Sequence, residues 1–259
     1  MEIPFTKASA CGNDFLIVDG TLVPDRLKEV TLRICDRHNG VGADGVEWLF
    51  PDKDADVEAR LVNADGSDAE LSGNGTRCVA AYLTSESRKE TVRIRTGAGV
   101  KTCTLIARND NVAEFETAMG VPKAENEIAI ATSFGEVKGI PVSMGNPHFV
   151  VLVTEFWPHW QGRAAEMQGN TIFKHGINIE LVHIKDKSNI EVLFFERGVG
   201  ETQSSGTGSC AAAVAAITSG RTQSPVVVHA PGGRQIVRFE DEVLLRGPAQ
   251  LICEGRFFV

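Results

Sequence analysis

Two short turns carry the residues best placed to do chemistry. Ser72-Gly73-Asn74-Gly75 and Ser205-Gly206-Thr207-Gly208 each open onto Ala-rich sequence of good helix propensity, so each is expected to start a helix. The second helix should stop before Ser219-Gly220. A helix that begins this way leaves its first backbone N–H groups unpaired, and glycine lets a ligand come close to them. Together with the helix dipole, such an end suits a phosphate or a carboxylate. Taken singly, either turn reads as an ordinary N-cap, a position serine fills very often.

The two turns are not independent. Their serines, at 72 and 205, stand at an offset of 133, and two further matches share it. Gly12-Asn13-Asp14-Phe15 answers Gly145-Asn146-Pro147-His148-Phe149 if one inserted residue is allowed, and Gly99 answers Gly232. Three coincidences at half the chain length indicate an internal duplication. Duplicated turns related by pseudo-symmetry can face each other across a cleft and bring one side chain each to a shared ligand. Inverting a stereocentre by moving a proton needs that arrangement: a base on one face of the carbon and an acid on the other. The carbanion-like transition state of an amino acid also needs its charge accepted, and two helix ends aimed at the carboxylate supply this. A pyridoxal cofactor would serve too, but no sequence signal requires one, so no cofactor is expected.

The elements that must position these turns are mostly strands. Runs at 15–18, 59–62, 92–95, 149–153, 192–195 and 225–229 are separated by Gly, Asn, Asp and Pro. This order predicts an α+β fold of two pseudo-symmetric domains, each with strands wrapped around a central helix and the active site in the cleft between them. The expected domains are residues 1–114 and 115–259, with the last ten residues available to pair back to the N-terminal domain.

Composition narrows the partners. The 259 residues are 42% apolar and 23% charged, ordinary for a globular chain, and large enough for two cores. No apolar run reaches the roughly 18 residues of a membrane span, and Met1-Glu-Ile-Pro-Phe5 lacks a signal pattern, so a cytosolic protein without a membrane partner is expected. A net charge of -8 argues against nucleic acid. The six cysteines lie far apart with no metal-site spacing, so neither disulfides nor a metal are expected.

The motifs together resemble one family. Phe5-Thr-Lys-Ala-Ser-Ala-Cys-Gly-Asn-Asp-Phe15, Asp36-Arg-His-Asn-Gly-Val-Gly-Ala-Asp-Gly45, Asn63-Ala-Asp-Gly-Ser67, Ser72-Gly-Asn-Gly-Thr-Arg-Cys78, Met144-Gly-Asn-Pro-His148 and Glu196-Arg-Gly-Val-Gly-Glu-Thr202 with Ser205-Gly-Thr-Gly208 are similar to diaminopimelate epimerases, in order and over the whole chain. The resemblance implies a cofactor-independent isomerase that interconverts LL- and meso-2,6-diaminopimelate, a lysine and peptidoglycan precursor, by two-base proton transfer. It implies that Ser72 and Ser205 hold the proton-transferring positions, with His148 and Glu196 as polar partners near the reacting carbon. Gly73, Asn74, Gly206 and Thr207 would grip the reacting carboxylate, while Asn13, Asn63, Asn146, Asn178 and Arg197 would hold the rest of the substrate. Arg197 suits a carboxylate through its planar fork. The partner is thus a small amino acid, and the resemblance leaves room for a homodimer. A racemase of another amino acid and an inactive ligand-binding relative are the alternatives.

One departure matters. The family carries cysteine where this chain has Ser72 and Ser205. A thiol is readily tuned into a thiolate base, whereas a serine hydroxyl needs a strong neighbouring base. Cys78 and Cys210 lie deeper in the helices and should point elsewhere. Impaired turnover is therefore expected, whether the chain is a deliberately inactivated form, which the intact surroundings favour, a homologue with altered chemistry, or a binding-only relative.

Overall fold

The computed structural model describes residues 1–87 and 89–259 and divides into two units, Met1–Ala118 with Arg246–Val259, and Met119–Leu245. The division after Ala118 lies close to the boundary expected at 114/115, and the segment that returns to the first unit begins at Arg246 and includes the last ten residues.

In the first unit the elements are β1 (Glu2–Ala10), β2 (Asn13–Asp19), α1 (Leu27–Ile34), β3 (Gly45–Phe50), β4 (Val57–Asn63), β5 (Asp68–Ala69), α2 (Gly73–Ser87), β6 (Thr91–Thr96), β7 (Gly99–Asn109) and β8 (Val112–Gly120). The second unit continues with β9 (Lys123–Ala124), β10 (Ile128–Thr132), β11 (Gly135–Ser143), β12 (Pro147–Val153), α3 (Trp160–Gln168), β13 (Asn178–Ile184), β14 (Asn189–Glu196), β15 (Gly200–Thr202), α4 (Gly206–Thr218), β16 (Val226–Ala230) and β17 (Gly233–Phe239). The last strand, β18 (Val243–Phe258), pairs antiparallel with β1 from Gln250 onward.

Pairing repeats from one unit to the other. β2 lies parallel to β3 with Phe15 opposite Gly45, and β12 lies parallel to β13 with His148 opposite Asn178. The two registers match at the offset of 133 without a gap. His148 therefore answers Phe15, and the inserted residue that the motif comparison allowed is not there. β4 and β14 likewise run parallel to β6 and β16.

Each unit buries two apolar clusters. α2 packs through Cys78, Val79, Ala80 and Ala81 against Phe15, Ile17, Leu61 and Phe115. α4 packs through residues 210–216 against Val150, Val182, Phe194 and Val237. A helix apolar on every face is stable only when enclosed, and the alanines let the strands approach it from all sides. On the other side of the strands lie α1, against Val46 and Trp48, and α3, against Phe149 and Ile179. These two outer helices are additional to the central pair read from the sequence; each bridges two parallel strands, which a hairpin turn cannot join.

Candidate functional site

At the start of α2 the Ser72 hydroxyl accepts the Gly75 backbone N–H at 3.0 Å. At the start of α4 the Ser205 hydroxyl accepts the Gly208 N–H at 3.1 Å. Both serines are N-caps of the same geometry, satisfying the third orphan N–H of the helix. The next N–H groups, of Gly73 and Asn74 and of Gly206 and Thr207, remain at the positive end of the dipole. A thiol in either position would meet the same N–H donors, which stabilise its thiolate.

The second residue of each helix is tied to the matching Gly-Asn turn. Asn74 Nδ2 donates to Asn13 Oδ1 at 2.7 Å, and Asn146 Nδ2 donates to Thr207 Oγ1 at 3.3 Å, both spanning 61 residues. Asn13 in turn donates to Asp44 at 3.1 Å, and Asp44 is held by Arg37 at 2.7 Å. Arg37 also binds Asp14; burial pushes the Asp14 carboxyl up, but hydrogen bonds from Arg37 and Lys7 outweigh this and hold it below the usual range. Arg77, fully buried, donates to Asn74 Oδ1, and its Nη1 has no partner among the described residues. In the second unit Asn146 Oδ1 faces His148 Nε2 at 3.0 Å, and His148 Nδ1 meets Glu180 Oε1 at 2.7 Å. His148 and Glu180 are both buried, at 1% and 0% side-chain exposure.

The remaining expected residues lie in their own local bonds. Asn63 donates to Ser67 within the β4–β5 turn. Glu196, at the end of β14, accepts from Thr202 at 2.8 Å; burial raises its pKa, and Thr202 opposes the rise. Asn178 accepts the Arg197 N–H at 2.8 Å and donates to the Pro147 carbonyl at 3.0 Å. The exposed Arg197 guanidinium donates to the His175 carbonyl and has no carboxylate partner among the described residues. Cys78 and Cys210 are fully buried, away from the caps.

Two carboxyls escaped the sequence reading. Glu47 on β3 and Glu180 on β13 stand at the offset of 133, in the middle of apolar strands. Each lies against the second glycine of a Ser-Gly-x-Gly turn: a Cβ on Gly75 would sit 2.1 Å from Glu47 Oε1, and one on Gly208 would sit 2.8 Å from Glu180 Oε1. Those glycines therefore make room for a buried acid as well as for a ligand. Burial pushes Glu47 up to about 8, and its carboxyl makes no hydrogen bond among the described residues. Burial raises Glu180 too, against the pull of His148. A lone acidic residue inside an apolar strand, repeated at the duplication offset, was the available signal. Among the described residues no group of three or more His, Cys, Asp or Glu is placed to hold a metal ion, and no helix is long and apolar enough to cross a membrane.

Comparisons with known proteins agree with this architecture. The family model described as diaminopimelate epimerase matches residues 5–124 and 140–252. The diaminopimelate epimerase of Pelotomaculum thermopropionicum is 35% identical, covering 98% of both chains, and that of Bacillus pumilus is 32% identical over 98% of both. Among solved structures, a hydroxyproline epimerase from Agrobacterium vitis with bound trans-4-hydroxy-L-proline superposes with a TM-score of 0.77 at 16% identity, covering 99% of this chain and 92% of the other. A phenazine biosynthesis protein of the PhzF family from Bacillus anthracis gives 0.75 at 16% identity with full coverage of both. The structural neighbours establish the two-unit α+β fold, and the sequence relatives establish more: this chain belongs to the diaminopimelate epimerase family and is, by class, an amino-acid epimerase.

Proposed function

We propose that the chain is built for cofactor-independent inversion at an α-carbon of 2,6-diaminopimelate, and that serine at both proton-transfer positions impairs it. The observation that carries this reading is the matched pair of N-caps, in which Ser72 and Ser205 each accept the N–H three residues on. Inversion asks for one proton acceptor and one donor of equal standing, and a duplicated tip supplies both. In this reading the free N–H groups of Gly73, Asn74, Gly206 and Thr207 take up the charge that develops on the substrate's carboxylate. His148 and Glu196 are the polar partners of the reacting centre, and Asn13, Asn63, Asn146, Asn178 and Arg197 hold the distal amino-acid group. Arg197 fits the last role because its guanidinium is exposed and, among the described residues, is held by a backbone carbonyl rather than a carboxylate.

Serine makes a weak base here. Among the described residues no carboxylate or imidazole is hydrogen-bonded to either hydroxyl, so an unactivated alcohol would face a very weakly acidic C–H bond. The chain as it stands should therefore bind diaminopimelate and exchange its α-hydrogen slowly or not at all. Changing Ser72→Cys and Ser205→Cys together should raise solvent-deuterium incorporation at the α-carbon by roughly 10²-fold or more, the scale of acid–base catalysis. A folded double variant that binds diaminopimelate without exchange would make the chain a receptor, and exchange confined to proline or another amino acid would move the substrate assignment.

A further inference from the structure

The buried pair behind the α4 tip has a hydrogen-bond count that fixes its direction. Asn146 uses its amide N–H on Thr207 Oγ1, so its Oδ1 must accept, and His148 Nε2 must be the donor. The second proton of the pair lies between His148 Nδ1 and Glu180 Oε1, whichever atom holds it, so the pair is neutral as a whole. Neutrality is what burial at 1% and 0% exposure demands. Donation then runs one way, from His148 Nε2 through Asn146 to the hydroxyl of Thr207, with Glu180 holding the far ring nitrogen. Because Thr207 accepts along this chain, its own O–H hydrogen is left to point elsewhere, and Thr207 is the second residue of α4 and only partly buried.

We infer that Glu180 is a positioning residue: acting through His148 and Asn146, it turns the Thr207 hydroxyl hydrogen outward as a donor to the substrate's carboxylate. The inference rests on the carboxylate-binding role proposed for the α4 tip and adds the residue that aims it. The first unit offers a built-in contrast. There the tip residue Asn74 donates to Asn13, which donates to Asp44, so the chain runs away from the helix, and Glu47 touches none of it. The shape of the site also points to Glu180: Gly208 leaves the space its carboxyl occupies, and Phe194 walls it in beside that glycine.

Glu180→Met keeps the side chain's length and removes its hydrogen bond. Measured by calorimetry on the full chain with diaminopimelate, Glu180→Met and Thr207→Val should each weaken binding roughly tenfold. The double variant should bind no more weakly than Thr207→Val alone, because both changes cut one chain. Glu180→Gln, which can still hold the imidazole, should restore most of the loss. Multiplying losses in the double variant, or wild-type affinity in Glu180→Met, would overturn the inference. Nitrogen NMR of the ligand-free protein separates this from the functional reading. The Asn146 side-chain amide should move in both Glu180→Met and Thr207→Val, and an amide indifferent to Glu180→Met contradicts the inference whether or not diaminopimelate binds. Should Glu180→Met not fold, Thr207→Val reports from the exposed end: it must shift the His148 ring nitrogen signals, and unchanged signals refute the chain. Absence of any diaminopimelate binding by a protein that shows these shifts would instead remove the functional reading and leave the chain intact.

Discussion

At the tip of α2 hydrogen bonds run outward from the helix, from Arg77 to Asn74 to Asn13, and end on Asp44, whose side chain is 38% exposed and clamped by Arg37. At the tip of α4 they run inward, from a buried His148–Glu180 pair through Asn146 to Thr207. The caps themselves are alike, with Ser72 and Ser205 each bonded to the N–H three residues on. Several positions at equivalent offset separate the two supports: Phe15 stands where His148 stands, and Asp44, Asn74 and Arg77 stand where Ile177, Thr207 and Cys210 stand. Phe15 leaves Glu47 without a partner, and His148 gives Glu180 one. Duplication has kept the hydrogen bonding of the caps while their electrostatic backing diverged.

The comparison can be broken by making the second tip resemble the first. His148→Phe should strip Glu180 of its partner and cost roughly 3–5 kcal/mol in urea unfolding, the usual effect of removing one member of a buried pair. A loss below about 1 kcal/mol would mean that the pair is not a support. Glu47 offers the next largest effect. Its folded value is raised from the ordinary 4.5 to about 8, so above the lower figure the unfolded chain ionises it while the folded chain must keep it protonated. This group therefore subtracts stability increasingly across that window and by a constant amount beyond it. Glu47→Gln should match the wild type near pH 4 and exceed it by roughly 4 kcal/mol at pH 8; parallel stability curves would show that Glu47 is ionised in the fold.

Smaller effects sharpen the likeness of the caps and the difference in their anchors. Ser72→Ala and Ser205→Ala should each cost about 1 kcal/mol and by similar amounts, since each removes one N-cap bond. A clear inequality would show that the caps are not equivalent. Arg37→Ala should cost less than about 1 kcal/mol, with the loss shrinking in high salt, because its ion pairs with Asp14 and Asp44 face solvent.

Much of this was legible in the sequence. Periodicity and turn residues gave the strands, and the common offset of Ser72 and Ser205 gave the duplication together with both helix starts. Equivalence of the caps followed from residue type alone, because Ser at an N-cap and Gly two residues later dictate the local geometry. What was not legible depended on register. Whether His148 answers Phe15 or falls in an insertion is decided by strand pairing, and a one-residue slip turns every side chain over. Glu47 and Glu180 were passed over because acidic residues are assigned to solvent by default, and only the strands' two buried faces enclose them. The outer helices α1 and α3 were missed because α1 is polar on its outer face and α3 holds a mid-helix glycine, Gly162, which weakens the pattern.

The claim at the centre is that the two tips perform opposite halves of one proton transfer, and the single-cysteine variants test it most directly. Each of Ser72→Cys and Ser205→Cys alone should incorporate solvent deuterium at the α-carbon of one diaminopimelate stereoisomer far faster than at the other, with the preferences of the two variants reversed. If both variants exchange the same stereoisomer, the tips address the same face of the carbon and the two-base account is wrong.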